Sequence, residues 1–567
     1  MRPNVLHSLF YILIILIPLF SFGVFILAHA LNIPYNDDEA LLYSLNQIIA
    51  VPEDSFSALF EQQNDHRIFF SRLASLTIKL VSGKMNFRVM IICGYLNLVL
   101  LGYSFFLIYK SANIRLAFFI PVAVLLFSPI VYATHLWAIT SFEYTLAITF
   151  SLYCLIFLQP SKQKIWFWSI PFAIAAAVSN LDGLSVIPVG LVWLITQKRK
   201  KESMYFALFA ILYVIIFFIG FHFSAASRFP PFPQIIGIVF KAFVSYCGSI
   251  LKVLSDSHGI VLSTIAGACI LIVFIGINVI KFFKKKDWGD VLFPISLAEI
   301  GFLELLACGM MIALGRAGDV AGSMLAIRFQ VYAVSTFILF YLFVLSVLKN
   351  EKYKRYFFLF FLLFALSLNA LSYLKYPDAV AVHNDELKVD SYNFTNHTFF
   401  LYQYTENPDP GKLLYLHYEF PEYFSKEKID SWYEGLKEGV VSPQIQFVSE
   451  NLDHLPEYKK WIYPVIHFEI NNLPASVPDK DVYLALYNLE KPVKIFLVAI
   501  RHGNVTWLRK ILQSNSADRS FLATFPRKMP DKIYNIALCW KSKGINNSIL
   551  VARNLNLDDI RKAAPID

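Results

Sequence analysis

The chain has little charge and a large excess of apolar side chains. Charged residues make up 16% of its 567 positions and hydrophobic ones 57%, with 53 phenylalanines. Soluble domains carry more charge than this, so the composition indicates a polytopic membrane protein. The net charge of +9 comes largely from basic loops between apolar segments, which argues against nucleic-acid binding.

Several familiar chemical motifs are also lacking. Five of the six cysteines lie in apolar segments and only Cys539 lies in a polar one, so no disulfide framework is expected and the redox compartment stays open. The sequence has no Gly-rich phosphate loop, no zinc spacing of cysteine and histidine, and no nucleophile elbow with an associated triad. These absences argue against chemistry on soluble nucleotide sugars.

Apolar stretches long enough to cross a hydrocarbon core of about 30 Å recur along the first 375 residues. They lie at 9–31, 88–109, 115–134, 141–158, 203–223, 258–282, 291–314, 326–349 and 354–374. The stretch 165–197 has a polar break near Asp182 and basic residues at both ends. The positive-inside rule predicts that it crosses outward and returns, which gives about eleven spans.

The same rule predicts two domains with defined sides. The membrane domain covers 1–375, with its N-terminus in the cytoplasm and its first loop, 32–87, on the extracytoplasmic face. The tail, 376–567, regains polar residues and is expected to fold as an extracytoplasmic α+β or β-rich soluble domain. Alternating runs at 413–418, 482–487, 494–500 and 534–539 predict strands, and Gly503 with Asn504 predicts a turn. The style of the chain favours a bacterial inner (plasma) membrane.

Three adjacent carboxylates follow the first span: Asp37, Asp38 and Glu39. At roughly 2.5–3.5 kcal/mol per charge at the bilayer centre, they belong outside the span, at the membrane surface. There a carboxylate can act as a base towards a lipid headgroup or an acceptor. The plainer alternative is a solvated turn or a helix N-cap after Pro34.

A second polar group, Asp65, His66 and Arg67, lies later in the same loop. It separates the stretches 55–63 and 68–80, whose amphipathic pattern is typical of helices in the membrane interface. The two groups would frame a small polar cavity over the lipid headgroups, with a base on one side and cations for a phosphate on the other. Alternatively, His66 and Arg67 anchor an interfacial helix.

Arg316 and Arg328 lie at the external ends of two predicted spans and flank one short loop. Their guanidinium groups can therefore converge on one phosphate, although snorkelling to lipid headgroups is the alternative. Glu143, at the outer end of the fourth span, could line the same site. Glu299 and Glu304 lie inside a predicted span, where a structural pair with a basic or hydroxyl group is the favoured interpretation.

These residues, in this order, resemble the GT-C superfamily of multi-spanning glycosyltransferases. Asp37 and Asp38 match, in type and position, the acidic motif of the first extracytoplasmic loop. Gly315, Arg316 and Gly318, followed by Arg328 and Phe329, resemble a Gly-Arg element and an Arg-Tyr element, with Phe where Tyr is expected. The resemblance covers about residues 1–375 and implies a GT-C-like α-helical membrane domain.

The resemblance implies inverting glycosyl transfer from a polyprenyl-phosphate-linked sugar to a glycan, lipid or protein acceptor of the cell envelope. Asp37 or Asp38 would be the general base, and Arg316 and Arg328 would hold the donor phosphate. The other predicted substrate contacts are Glu39, Asp65, His66, Arg67 and Glu143. A divalent cation could bind the carboxylates at 37–39, but the sequence leaves the cofactor and the metal open.

Two other classes of function fit the sequence. A transporter or lipid flippase would explain the many spans, Glu299 and Glu304, and the broken stretch 165–197, although no two-fold internal repeat is present. A non-catalytic envelope scaffold would instead depend on the tail alone.

Overall fold

The computed structural model describes most of the chain. The described residues are 3–51, 53, 55–223, 232–255, 258–284, 295–317, 325–397, 400, 413–435, 445–448, 465–470, 477–478, 481–488, 494–502, 521–526, 533–542 and 544–556. They form two compact units. The first comprises Met1–Ala30, Asp37–Tyr376 and Gly411–Tyr418; the second comprises Leu31–Asn36, Pro377–Pro410 and Glu419–Asp567.

Helices dominate the first unit. In chain order the α-helices of the described residues are α1 Pro3–His29, α2 Glu39–Ala50, α3 Ser55–Phe60, α4 Phe69–Ser82, α5 Phe87–Ser111, α6 Ile120–Leu126, α7 Tyr132–His135, α8 Ala138–Phe157, α9 Ser169–Ala177, α10 Val186–Thr196, α11 Lys200–Phe218, α12 Gln234–Cys247, α13 Gly259–Phe283, α14 Leu297–Gly315, α15 Gln330–Val347, α16 Glu351–His397 and α17 Lys426–Gly435. The part of α16 from Pro377 onward and the whole of α17 belong to the second unit. A small hairpin of β1 Gln62–Gln63 and β2 His66–Arg67 separates α3 from α4.

Among the described residues, eight helices are long and apolar enough to cross a membrane. The bent pair Leu116–Leu126 and Pro129–His135, which meet at 40°, adds a ninth if the pair is one span. These are the helices of an integral membrane protein. The count of about eleven stays a prediction, because the halves of 165–197 form α9 and the short apolar segment Leu181–Thr196.

The burial pattern of α4 is the reverse of that of a helix on a soluble protein. Its polar residues Ser71, Arg72 and Ser75 are buried, whereas Leu80 and Val81 are 74% and 83% exposed. A lipid environment reverses the usual preference, since apolar side chains then face outward at no cost. α4 therefore directs Arg72 into the protein interior, and its exposed face agrees with the predicted interfacial position of this loop.

α12, which the sequence did not predict, packs closely against α13 through two glycines. A Cβ atom on Gly267 would lie 1.8 Å from the carbonyl oxygen of Val244, and one on Gly248 would lie 2.2 Å from that of Ser263. Small residues allow helices in lipid to approach closely and gain packing contacts.

The two glutamates predicted to have structural partners have them. Glu299, at the N-terminus of α14, accepts a hydrogen bond from Lys281 Nζ at 2.7 Å and forms a capping box with Ser296. Glu304 accepts a hydrogen bond from the Ser185 hydroxyl at 2.7 Å. Both predictions are confirmed, and each carboxylate has a donor that offsets part of its desolvation cost.

The second unit is built on a seven-stranded antiparallel sheet. Its strands are β3 Ile445–Val448, β4 Val465–Ile470, β5 Val482–Tyr487, β6 Ile495–His502, β7 Phe521–Pro526, β8 Ile533–Ser542 and β9 Ile545–Asn556, in the spatial order β3-β4-β7-β6-β5-β8-β9. The ladder β5–β8 aligns Leu484 with Leu538, and β5–β6 aligns Leu484 with Val498. The mixed helix and strand content agrees with the predicted fold class.

β5 is buried on both faces of this sheet. Leu484 and Leu486 belong to one apolar cluster, while Tyr483 and Ala485 belong to another that includes Trp432 of α17. Successive side chains of a strand point to opposite faces, so a continuous apolar run is expected where both faces are covered. The strands predicted at 482–487, 494–500 and 534–539 are confirmed; the turn at 503–504 lies outside the described residues.

The strand predicted at 413–418 is wrong. This segment belongs to the helical unit and forms consecutive turns, with backbone hydrogen bonds from Leu416 to Leu413 and from Tyr418 to Tyr415. The side chain of Asn46 donates to the carbonyl oxygens of Leu413 and Leu414, at 3.0 and 3.2 Å. A tertiary contact therefore takes the carbonyls that a strand partner would have used.

Candidate functional site

The three carboxylates after α1 have three different environments. Asp37 is exposed, Asp38 is 1% exposed and Glu39 is partly buried. They lie on a 3₁₀ turn, Asn36–Asp38, and at the start of α2. This short turn brings the three side chains to different surroundings.

Asp38 caps a helix that lies far away in the sequence. Its Oδ1 accepts a hydrogen bond from the backbone N–H of Ile139, at 2.9 Å, near the N-terminus of α8. The helix's own N-cap, Trp137, provides no side-chain cap. A carboxylate satisfies an orphan N–H there and interacts favourably with the helix dipole. Asp38 therefore fastens loop 1 to the start of α8.

Glu39 is held by a tyrosine. Its carboxylate accepts a hydrogen bond from the Tyr415 hydroxyl within the helical unit. Burial raises the pKa of Glu39 to about 7; the tyrosine hydrogen bond opposes this rise, and the negative charge of Asp37 adds to it. These contacts favour a structural role for Glu39, while its predicted substrate contact stays a prediction.

Glu143 lies on α8 one helical turn after Ile139, so Asp38 brings loop 1 close to it. The Glu143 side chain is 7% exposed and lies within electrostatic range of Asp37, Asp38, Asp182 and Arg328. The predicted loop carboxylates and one predicted arginine therefore surround a carboxylate of the membrane domain.

The two predicted arginines share one aromatic ring. Arg316 follows the last residue of α14, and Arg328 lies in the 3₁₀ turn Ile327–Phe329 before α15. Their guanidinium carbons lie 5.8 and 5.1 Å from the centroid of Phe329. Phe329, which stands where Tyr was expected, thus supports both cations. Gly318, between them, lies outside the described residues.

Tyr144 lies between the acidic and the basic residues of the candidate site. It lies within electrostatic range of Arg328, Glu143, Arg316 and Asp37, and its ring packs 5.5 Å from that of Phe329. Two arginines from late in the membrane domain and a carboxylate from loop 1 therefore occupy one neighbourhood. The sequence offered no signal for Tyr144, because one tyrosine in an apolar span carries no motif.

His66 joins the same neighbourhood through the β-hairpin. Its Nδ1 accepts a weak hydrogen bond from the backbone N–H of Leu181, at 3.4 Å. Burial, with Arg316 nearby, lowers the pKa of His66 to about 4; Asp65 opposes the fall and Arg328 adds to it. The imidazole is therefore neutral near pH 7, and Nδ1 acting as acceptor leaves the proton on Nε2.

Arg67 has structural contacts that account for its guanidinium group. It donates to the carbonyl oxygens of Phe60, Phe217 and Ile219 at 2.6, 3.1 and 3.3 Å, and lies 5.3 Å from the Phe217 ring centroid. These contacts favour the alternative interpretation of Arg67 as an anchor of the loop, and its predicted substrate contact is untested.

Arg72 is a cation near the site to which the sequence assigned no role. It is 2% exposed and donates to the carbonyl oxygen of Glu61. Burial lowers the pKa of Arg72 to about 10, against the opposing charges of Glu61 and Glu143, and the side chain stays protonated at neutral pH. The inverted pattern of α4 is the sequence signal that could have found it.

Asp182 is a second carboxylate that joins the site. It is 5% exposed, lies beside Tyr332 and is within electrostatic range of Glu143. The adjacent Gly183 makes this position possible, since a Cβ there would lie 2.2 Å from the carbonyl oxygen of Ala176. The polar break in 165–197 was the available sequence signal.

Within the part of the chain that the structure describes, no group of three or more His, Cys, Asp or Glu side chains is arranged to hold a metal ion. A divalent cation at 37–39 therefore stays a possibility raised by the sequence alone.

Comparisons with known proteins add no identification: no family model, no curated protein and no solved structure matches this chain.

Proposed function

We propose that the protein is a membrane glycosyltransferase of GT-C type that moves a sugar from a polyprenyl-phosphate donor to an envelope glycan, lipid or protein acceptor on the extracytoplasmic face. The observation that carries the proposal is that Asp37, Arg316 and Arg328 all lie within electrostatic range of Tyr144, with both guanidinium groups beside the Phe329 ring. A base and two guanidinium groups in one place are the parts that glycosyl transfer from a lipid phosphate requires.

Asp37 is the general base in this proposal. It is the exposed member of the three carboxylates, whereas Asp38 is buried against the start of α8 and Glu39 is partly buried. The acceptor hydroxyl gives its proton to the Asp37 carboxylate as its oxygen bonds to the anomeric carbon. The bond from that carbon to the phosphate oxygen breaks on the opposite face, so the configuration inverts. Asp38 positions the loop.

Arg316 and Arg328 hold the departing phosphate. Guanidinium groups grip phosphate oxygens in pairs, and their charge stabilises the negative charge that develops as the sugar leaves. The neutral His66, with its proton on Nε2, supplies a further hydrogen-bond donor near Arg316. Glu143 and Asp182 are suited to binding the sugar, because carboxylates accept hydrogen bonds from hydroxyl groups.

The test is transfer by the full chain in lipid nanodiscs supplied with polyprenyl-phosphate sugars. We expect Asp37→Asn to lower the transfer rate by about 10²–10⁴-fold, because a general base contributes that much. Glu53→Gln, an exposed carboxylate of the same loop, is the matched control and keeps the rate. Asp38→Asn keeps most of it, since Asn caps helices as well as Asp does. Equal loss in all three variants would refute the assignment.

One observation favours a second candidate function. Buried Asp182 and Glu304 lie within electrostatic range of each other beside the interrupted helices α9 and α10, a pattern typical of transporters. Substrate flux in proteoliposomes without any sugar transfer would favour a transporter or flippase over the enzyme.

A further inference from the structure

Glu143, on α8, is a buried glutamate without a hydrogen-bond donor. It is 7% exposed, and among the described residues no group donates a hydrogen bond to its carboxylate and no cation lies within ion-pair distance of it. Glu299 and Glu304, by contrast, accept hydrogen bonds from Lys281 and Ser185, both at 2.7 Å. Burying a carboxylate without a donor is costly, so the absence of one at Glu143 points to a ligand.

The carboxylate of Glu143 also remains accessible. The sealed polar atoms without a partner in the described part of the chain include Oε2 of Glu304 but neither oxygen of Glu143. The small exposed part of Glu143 therefore includes its carboxylate oxygens, and a group the size of a water molecule can touch them. An ammonium group has about that size.

The charges around Glu143 are predominantly negative. Three aspartates lie within electrostatic range of it: Asp37, Asp38 and Asp182. The cations within range are Arg328 and Arg72. In the proposed reaction Arg328 is occupied by the donor phosphate, so the surplus of negative charge grows when the donor binds. Complementary charge on a substrate would offset this surplus.

Tyr144 adds an acceptor and a ring face to these surroundings. It lies within electrostatic range of Glu143, and its ring packs 5.5 Å from that of Phe329 and 5.6 Å from that of Tyr332. Within the described residues its hydroxyl has no hydrogen-bond partner and is not among the sealed atoms. Ring faces attract cations, and an ammonium group has three donors for such acceptors.

We propose that the site takes a substrate that bears an ammonium group, which donates hydrogen bonds to the Glu143 carboxylate. A neutral sugar hydroxyl would also donate to Glu143, but it would leave the surplus of negative charge in place. Two sources share this chemistry: an amino group on the donor sugar and an amino group on the acceptor. The inference rests on the proposed function, because it names the substrate class of the same site.

The experiment measures binding to the full chain in lipid nanodiscs by calorimetric titration, with empty nanodiscs subtracted. The donor probes are farnesyl-phosphate glucose and its derivatives with one amino group in place of a hydroxyl, at each ring position in turn. Methyl glucoside and the same set of amino derivatives test the acceptor source. We expect one amino compound to bind about tenfold more tightly than its hydroxyl parent, because hydrogen bonds between charged groups are the stronger ones. Equal binding at every position in both sets overturns the proposal.

Glu143→Gln tests the charge itself, because glutamine has the shape of a protonated glutamate. We expect the tenfold preference for the amino compound to fall to within about twofold. Glu53→Gln removes an exposed carboxylate of loop 1 and is the matched control, which should keep the preference. An undiminished preference in Glu143→Gln, or an equal loss in the two variants, overturns the assignment to Glu143.

A second variant covers the case in which Glu143→Gln does not fold, which thermal unfolding shows. Asp182→Asn removes one neighbouring charge without touching Glu143, and we expect it to lower the preference about threefold. An unchanged preference in Asp182→Asn would overturn the argument from surplus charge.

Transfer of the same donors distinguishes this inference from the proposed function. Equal binding and equal kcat/KM for amino and hydroxyl sugars would leave the glycosyltransferase in place and overturn the ammonium site. A tenfold preference in binding, with no transfer of any sugar, would instead refute the proposed function and support the ammonium site.

Discussion

The helical unit and the sheet of the second unit differ in what they bury. The helical unit buries ionisable groups within its interior, among them Asp38, Arg72, Glu143, Asp182, Glu299 and Glu304. The sheet of the second unit buries apolar side chains on both faces, as in β5. Burying a charge is costly unless a partner or a function compensates. The difference therefore directs the search for chemistry to the helical unit and the search for packing energy to the sheet.

The buried ionisable residues of the helical unit fall into two groups according to their surroundings. Glu299 accepts a hydrogen bond from Lys281, and Glu304 accepts one from Ser185. Glu143 and Arg328 instead gather with the loop carboxylate Asp37 around Tyr144. The predictions below test whether the paired carboxylates are structural and the groups around Tyr144 are catalytic.

The largest expected effect is on activity, at Arg328. Replacing it with glutamine removes one of two guanidinium groups from the donor phosphate, and we expect kcat to fall about 10²–10³-fold. The kcat of Arg328→Lys should lie between those of the wild type and of Arg328→Gln, because lysine keeps the charge but lacks the planar guanidinium fork. Arg88→Gln is the control, since Arg88 is exposed and donates a hydrogen bond to the Leu27 carbonyl. Equal rates for the two glutamine variants would contradict the assignment.

The next effect is on the stability of the sheet. Leu484→Ala removes a side chain that is 1% exposed in β5, and we expect the free energy of unfolding of this unit to fall by about 3 kcal/mol. Ile545→Ala, at a 66% exposed position of β9, should change it by less than about 0.5 kcal/mol. Hydrogen exchange of the β5 amides during denaturant titration measures both. Similar effects would mean that β5 is not the centre of the core.

A smaller loss is expected from breaking the buried ion pair. Lys281→Met leaves Glu299 without its cation, and we expect destabilisation of roughly 2 kcal/mol, below the usual range for buried pairs because Lys281 is a quarter exposed. Adding Glu299→Gln should restore most of the loss. Lys284→Met, at an exposed position, is the control. Unfolding in nanodiscs gives the stability of the wild type and of the three variants. A double variant no more stable than Lys281→Met would argue against the pair.

The smallest effect is the pH dependence at His66 and Glu39. The folded pKa of His66 is lowered to about 4 from 6.5, so its contribution to stability is full above pH 6.5 and is lost as the pH falls to 4. The stability difference between wild type and His66→Gln should therefore shrink across that window by roughly 1–2 kcal/mol.

Glu39 provides the control of opposite sign. Its folded pKa is raised to about 7 from 4.5, so its contribution is full below pH 4.5 and is lost as the pH rises to 7. The stability difference between wild type and Glu39→Gln should therefore shrink as the pH rises from 4.5 to 7. The melting temperature in nanodiscs, measured from pH 4 to 8, would show two slopes of opposite sign; parallel slopes would contradict both environments.

The sequence predicted the parts of the fold that depend on local pattern. Long apolar runs predicted the spans, and the apolar run at 482–487 predicted β5, because hydrophobic periodicity reports burial directly. The run at 413–418 has a similar pattern but forms turns, since the side chain of Asn46 takes its carbonyls. α12 was missed because its 14 residues are too few for a span by length.

The candidate site was predictable in its residue types and not in its contacts. Clustering drew attention to Asp37 and Arg316, because charges beside apolar spans are costly. No local pattern could assign Asp38 to Ile139, since the two residues are 101 positions apart. Likewise, Tyr144 and Arg72 belong to the site only through tertiary packing.

The crossing of α12 and α13 has a consequence for any study of variants. Even one added methyl group at Gly248 or Gly267 would overlap a backbone carbonyl, and backbone cannot rotate aside as a side chain can. In lipid, separated helices gain no compensating hydrophobic force. A random mutagenesis screen scored for growth or for transfer should therefore find these two glycines as intolerant as Asp37. Protein abundance, measured beside activity, would tell the two kinds of intolerance apart.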